Sequence, residues 1–210
     1  MKSFKVMAVG MLVLGAMAMS GCGGDKYVGQ WYKSDGPKAT DYQQLDIQQN
    51  GSGYIINSNT FRYAQKMTML NRKEHEASKR FRSPFMTGRD YGEAMKKIVP
   101  PVYDVDVQWT KYTGNKYTGT MKDDRIILDS GGKIVYIEKD NTLLYNGKTY
   151  KSEKDFKPKN VQMQLRKKIE AGLEEMKDLK NKISNPNEAP VIQKVEIKDE
   201  LATKQLACFK

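Results

Sequence analysis

Histidine and cysteine are nearly absent from these 210 residues, with one of the first and two of the second. The lone histidine limits the chemistry available. His75-Glu76-Ala77-Ser78-Lys79 begins like the zinc-protease helix His-Glu-x-x-His, but Lys79 stands at the second ligand position and one histidine cannot build that site. A Ser-His-Asp triad would also have to pass through His75, and no serine sits in a nucleophile elbow. His75 therefore reads as a solvated histidine on a basic helix. No catalytic residue, metal or cofactor is expected, and the chain is read as a non-enzyme. Long apolar runs are scarce too. After Val6–Met19 none recurs, and with a mean hydropathy of −0.71 the rest is expected to be water-soluble. Acidic residues are in deficit, 25 against 36 Lys and Arg, for a formal charge of +11.

Two further motifs fail on inspection. Asp104 and Asp106 lie on one strand face, as paired glycosidase carboxylates can, but outward-facing polar residues on a half-buried strand give the same pattern. Gly114 and Gly119 have P-loop spacing, yet Thr120-Met121 follow where Lys and Ser or Thr are required, so no nucleotide site is expected.

The N-terminus is the most specific stretch. Lys2 and Lys5 precede the uncharged run Val6–Met19, and small residues Ser20 and Gly21 stand before Cys22. That is the layout of a secretory signal, too short for a transmembrane helix, which needs about 20 apolar residues. Met19-Ser20-Gly21-Cys22 resembles the lipobox of bacterial lipoproteins, with Met19 where that family has Leu or Val. The resemblance implies that the Cys22 thiol receives a diacylglyceryl group and that the leader is cut before it. Two or more acyl chains give stable anchoring. By likeness to Gram-negative sorting, Gly23 in place of Asp implies the outer membrane, facing the periplasm. An ordinary secretory signal with a coincidental cysteine is the alternative.

Cleavage would remove Lys2 and Lys5 and no acidic residue, so the charge falls from +11 to +9 over the 189 residues left. In the envelope the polyanions are lipid headgroups, lipopolysaccharide phosphates and acidic wall polymers, and charge alone does not choose among them. No nucleic-acid partner is expected there. With Cys22 acylated, Cys208 has no partner within the chain. It either forms an intermolecular disulfide, making a dimer, or is a tail thiol of no consequence.

Only residues 23–26 separate the anchor from Tyr27, a reach of roughly 13 Å, which is expected to hold the folded part close to the bilayer. From Tyr27 the pattern has period two. Leu45 and Ile47 alternate with polar residues, Asn50-Gly51 reads as a type I′ hairpin turn, Tyr54–Ile56 resumes, and Thr60–Leu70 is a further strand. Tyr103, Val105, Val107 and Trp109 share a face. Turns follow at Gly114-Asn115, Asp123-Asp124, Ser130-Gly131-Gly132, Asp140-Asn141 and Asn146-Gly147. This predicts a mainly β fold, an antiparallel meander of eight to ten strands closing into a small barrel, with a sandwich as the alternative. Val28-Gly29-Gln30-Trp31, Leu45-Asp46-Ile47 with Gly51-Ser52-Gly53-Tyr54, and the run Asn141–Tyr150 resemble lipocalin-like bacterial domains, which implies fold more than ligand. Trp31, Tyr54, Tyr103, Trp109, Tyr117 and Tyr136 either fill the core or line a cavity.

The predicted organisation is a signal peptide (1–21), a lipidated tether (22–26), a β-barrel domain (27–155) with a basic insertion (71–101), an amphipathic helix (156–184) and a tail (185–210). In the insertion Arg72, Lys73, Lys79, Arg80, Arg82, Arg89, Lys96 and Lys97 outnumber four acids, and Pro84 and Gly88 divide it into two short helical pieces. It reads as a flap at one end of the barrel, brought against anionic headgroups by the short tether. Leu165, Ile169, Leu173, Met176, Leu179 and Ile183 form a helical stripe that packs on the barrel or docks a partner. The tail holds a strand-like run, Val191–Lys198, then a stretch that could be helical. The function expected is a non-enzymatic binding module for an amphipathic or anionic envelope molecule, contacted through Lys79, Arg80, Arg82 and Trp109. The alternative is an assembly lipoprotein docking an envelope protein through its C-terminal helix and tail.

Overall fold

A computed structural model describes residues 25–80, 85, 88–183 and 186–199. Nine strands form one sheet: β1 Gly29–Lys33, β2 Asp41–Asn50, β3 Gly53–Met69, β4 Val102–Lys122, β5 Arg125–Leu128, β6 Lys133–Ile137, β7 Thr142–Tyr145, β8 Lys148–Ser152 and β9 Val191–Lys198. Helices α1 Arg72–Lys79 and α2 Gly88–Lys96 lie between β3 and β4, and the short α3 Glu153–Phe156 leads into the long α4 Pro158–Asp178. Strands β1 to β8 pair antiparallel in chain order, and β8 returns to β1 through only two residue pairs. The hydrogen-bonded ring is thus complete but uneven, with long β3 and β4 opposite four- and five-residue strands, so it is not a regular barrel.

Turn chemistry sets much of this order. Asp123 and Asp124 at φ 48° and 57°, and Asn146 and Gly147 at φ 49° and 70°, carry the paired positive φ of type I′ hairpins. The β2–β3 hairpin departs from expectation. Asn50 pairs with Gly53, so the central residues are Gly51 and Ser52, and only Gly51 has positive φ, the pattern of a type II′ turn.

Three other expectations are corrected. Gly114-Asn115 is not a turn, because β4 runs through it. Between the pairs Asn57–Lys116 and Asn59–Thr113, β4 carries one extra residue, so this is a bulge. Likewise Tyr54–Ile56 and Thr60–Leu70 belong to a single strand, β3. Nor is the sheet wholly antiparallel, since β9 pairs in parallel with β4 from Val102 to Gln108 and makes it mixed.

Alternation along each strand builds two cores. On β1, Trp31 faces into the ring and Tyr32 faces out. The inner cluster holds Tyr27, Trp31, Leu45, Ile47, Tyr54, Ile56, Ile126, Ile134, Leu143 and Tyr150. Side chains therefore occupy the ring interior, and complete burial of each aliphatic contributes roughly 1.5–3 kcal/mol. The outer cluster joins Tyr32, Tyr42, Tyr63, Val105 and Val107 to Leu165 and Leu173 of α4, with Val161, Ile169 and Met176 packed alongside. The apolar stripe of α4 is thus spent on the sheet. Pro158 opens that helix at N1, where its missing N–H costs nothing. One latch secures the layer. Asp199, its side chain 0% exposed, accepts hydrogen bonds from Arg166 Nη1 at 2.8 Å and from the Tyr63 hydroxyl at 2.5 Å.

Gly119 marks the tightest strand approach: a Cβ there would meet the Ile127 carbonyl oxygen at 2.7 Å. That close approach accounts for glycine at this position.

Candidate functional site

The basic insertion is a built element. Asn71, just before α1, and His75 and Ser78 on it recur at helical spacing, and all three turn inward. Asn71 clasps the strand ends, with Nδ2 donating to the Pro100 carbonyl at 2.9 Å and Oδ1 accepting from Val102 N–H at 2.8 Å. His75 is 6% exposed, and its Nδ1–H donates to the Val99 carbonyl at 2.6 Å. Ser78 Oγ donates to the His75 carbonyl and accepts from Val99 N–H at 3.0 Å. The expectation of a solvated His75 is therefore corrected: this ring is a buried fastener that satisfies a backbone carbonyl. Its imidazole pairs with main chain and not with a nucleophile. On α2, buried Ala94 and neighbouring Ile98 complete the packing, and Asn187 Nδ2 donates to the Lys96 carbonyl at 3.1 Å, tying the flap to the segment before β9.

With the polar and apolar anchors inside, the cations are left outside. Arg72, Lys73, Lys79, Arg80, Arg89, Lys96 and Lys97 are all exposed, against Glu74, Glu76, Asp90 and Glu93. Lys79 closes α1 and Arg80 caps it, its N–H reaching the Ala77 carbonyl at 3.2 Å. Positive charge there suits the negative end of the helix dipole.

The other expected contact residues do not join this group. Trp109 lies seven residues along β4 from Val102, roughly 23 Å away. It is partly buried against Tyr63, with ring centroids 4.7 Å apart, and against Tyr42 and Phe61. Arg82, Cys22 and Cys208 lie outside the described residues. Asp104 and Asp106 sit opposite the core face of β4, where Asp104 is in register with Lys194 of β9. Sequence reasoning missed the fastener residues, although the Asn71, His75, Ser78 spacing was a readable signal.

The contacts of the first described residues fix where the flap stands relative to them. Asp25 accepts a hydrogen bond from the Tyr54 hydroxyl, and its other oxygen accepts from Tyr27 N–H at 2.9 Å. Lys26 pairs with Asp124 at 2.8 Å, and the Tyr27 hydroxyl donates to the Asp124 carbonyl at 2.7 Å. These contacts pin the start of the described chain at the Gly51-Ser52 and Asp123-Asp124 turns. The flap stands at the other end of β3, whose 17 residues run about 50 Å. The start of the described chain and the basic helices therefore lie toward opposite ends of β3.

Among the described residues, no group of three or more His, Cys, Asp or Glu side chains converges, and no helix is long and apolar enough to cross a membrane. A shallow surface hollow of about 230 Å³ is lined by Asn160, Met163, Gln164 and Lys167 on α4. Comparison with protein-family profiles, curated proteins and solved structures finds no match.

Proposed function

We propose that this chain is a non-enzymatic binding protein of the bacterial cell envelope, anchored in the outer membrane by a lipid on Cys22 and facing the periplasm. Its basic flap binds an anionic envelope molecule. The observation that carries this reading is the set of seven exposed cations on α1, α2 and their flanks, with α1 fastened by the Asn71, His75 and Ser78 contacts and Lys96 paired with Glu93 at 2.9 Å. The target lies beyond the anchoring leaflet, because the flap is separated from Asp25 by the length of β3. Clustered phosphates or carboxylates on a polymer or on lipopolysaccharide fit that position better than headgroups beside the anchor.

The lipocalin-like reading stays part of the proposal. In-order pairing of β1 to β8 and the return of β8 to β1 support it, while the uneven ladders distinguish this ring from an even barrel. The aromatic and aliphatic side chains clustered inside the ring favour binding at the outer surface. Docking of a partner by the apolar stripe of α4 is disfavoured, because that stripe is already covered.

Binding of lipopolysaccharide, acidic glycan and phosphatidylglycerol vesicles to the full chain and to its Lys79→Ala/Arg80→Ala variant tests the reading. Each cation is worth about 1 kcal/mol near an anionic surface, so loss of both weakens polyanion binding by roughly ten- to thirtyfold. Equal binding by both proteins overturns the assignment.

A further inference from the structure

β4 has a bare edge. Its first edge is taken by β3. Along the second, β9 pairs Val102–Gln108 and β5 pairs Gly119–Lys122, and among the described residues no strand pairs with Trp109–Tyr117 between them. That gap is nine residues, roughly 30 Å of strand. Lys111 through Lys116 are all exposed.

The direction of the free backbone groups can be followed. The Val102 carbonyl accepts from Leu70 N–H on the β3 side, and the Pro101 carbonyl accepts from Val191 N–H on the β9 side. Odd-numbered residues therefore aim at the second edge as far as the bulge. Beyond the bulge the parity reverses, and the Thr118 carbonyl accepts from Asp129 N–H on the β5 side. Lys111, Thr113 and Lys116 thus present N–H and C=O to the gap, joined by the Trp109 C=O, whose N–H is used by the last β9 pair at Lys198.

Open edges invite pairing, and proteins blunt them with lysine and with bulges. Both devices are present, and they bias this edge against itself. Antiparallel self-pairing centred between Thr113 and Gly114 sets Lys111 opposite Lys116, and like charges directly opposite are destabilising. The same charges favour a strand of opposite sign. From Val107 to Lys122 there is no acidic residue, and Lys111, Lys116 and Lys122 are basic. Across on β3, Arg62 lies over the Tyr112 ring, 4.7 Å from its centroid, and adds a cation beside the edge.

We propose that the Trp109–Tyr117 edge of β4 docks an extended acidic segment of a partner protein as an added strand. Main-chain hydrogen bonds supply affinity and the flanking cations supply selectivity. This site is independent of the flap and of lipidation at Cys22.

The test uses the full chain and three labelled peptides: one alternating Glu with Val, its Lys counterpart, and an N-methylated Glu version that cannot complete a ladder. Fluorescence anisotropy should show salt-sensitive binding of the Glu peptide alone. Thr113→Pro removes one outward N–H without taking a bond from β3, because proline is tolerated where the N–H faces away from the ladder. It should weaken the Glu peptide by about tenfold or more with its melting temperature retained. Should that variant unfold, Lys111→Glu/Lys116→Glu decides instead, since it should switch preference to the Lys peptide. Amides of Lys111 and Thr113 should exchange fast in the free protein and slowly in the complex. Any of three results overturns the proposal: protection of those amides in the free chain, which would mean that its own tail or a second copy covers the edge; equal binding of the N-methylated peptide; or absence of Glu-peptide binding.

Discussion

The Tyr54 hydroxyl donates a hydrogen bond to the carboxylate of Asp25. This contact ties the residue third after Cys22 to the second residue of β3, while the basic helices begin past the far end of that strand. One strand thus spans the distance between the proposed anchor and the proposed binding surface.

Removal of that contact should loosen the N-terminal segment without unfolding the ring. Tyr54→Phe loses one hydrogen bond to a charged group, worth about 1.5–3 kcal/mol. The melting temperature should fall by several degrees, and the amides of residues 26–28 should exchange faster. Unchanged exchange there would mean that Asp25 is held by other contacts alone.

The flap should depend on its buried polar residues more than on its surface charges. His75→Ala removes the donor to the part-buried Val99 carbonyl, at a cost of about 0.5–1.5 kcal/mol. Asn71→Ala releases two main-chain groups and should do at least as much. Hydrogen exchange over α1 measures both, and Lys73→Ala on the outer face should leave it unchanged.

Alkaline pH should unfold the ring. Burial, aided at Tyr54 by its hydrogen bond to Asp25, raises the Tyr54 hydroxyl to about 12, and burial raises Tyr150 to about 12. Unfolded tyrosine titrates near 10, so the folded state holds these protons more tightly. Their contribution to stability is complete below pH 10 and is lost as pH rises through 12. Absorbance of tyrosinate against pH should show a late fraction that ionises together with loss of the β circular-dichroism signal. Ionisation of every tyrosine near pH 10 with the fold intact would contradict this.

Asp199 should hold β9 and α4 together. Its carboxylate is buried against Arg166 and Tyr63, and Asp199→Ala leaves Arg166 facing that site with one partner, Glu170 at 2.8 Å. Breaking a buried pair from one side costs about 3–5 kcal/mol. Because Arg166 is 16% exposed and retains Glu170, the loss should fall at the lower end. Exchange of the Val195 and Ile197 amides should rise before that of β2.

Much of the β-structure is legible in the chain, because period-two alternation and positive-φ residues are local signals. Asp123-Asp124 and Asn146-Gly147 announce their hairpins directly. Gly114-Asn115 carries the same letters but forms a bulge, since Ser58 on β3 is near enough for a Gly114 Cβ to meet its carbonyl oxygen at 3.2 Å, a tertiary fact with no local trace. The parallel docking of β9 joins residues about ninety positions apart, and no turn chemistry encodes it. At the site, the charge of the flap is readable from Lys79 and Arg80, whereas the inward turn of His75 is decided by the Val99 carbonyl. Trp109 reads as a contact residue on its strand face, but Tyr63 and α4 cover that face.

The central claim is that the proposed anchor and the basic helices lie at opposite ends of β3, a strand of at most about 50 Å. Energy transfer from a dye to acceptors on the headgroups of vesicles carrying the lipidated protein tests it most directly, with Cys208→Ser and the dye placed at either Ser52→Cys or Lys79→Cys. Strong transfer from position 52 and weak transfer from position 79 is the expected result. Transfer from position 79 equal to or above that from 52, or none from either, would contradict the account.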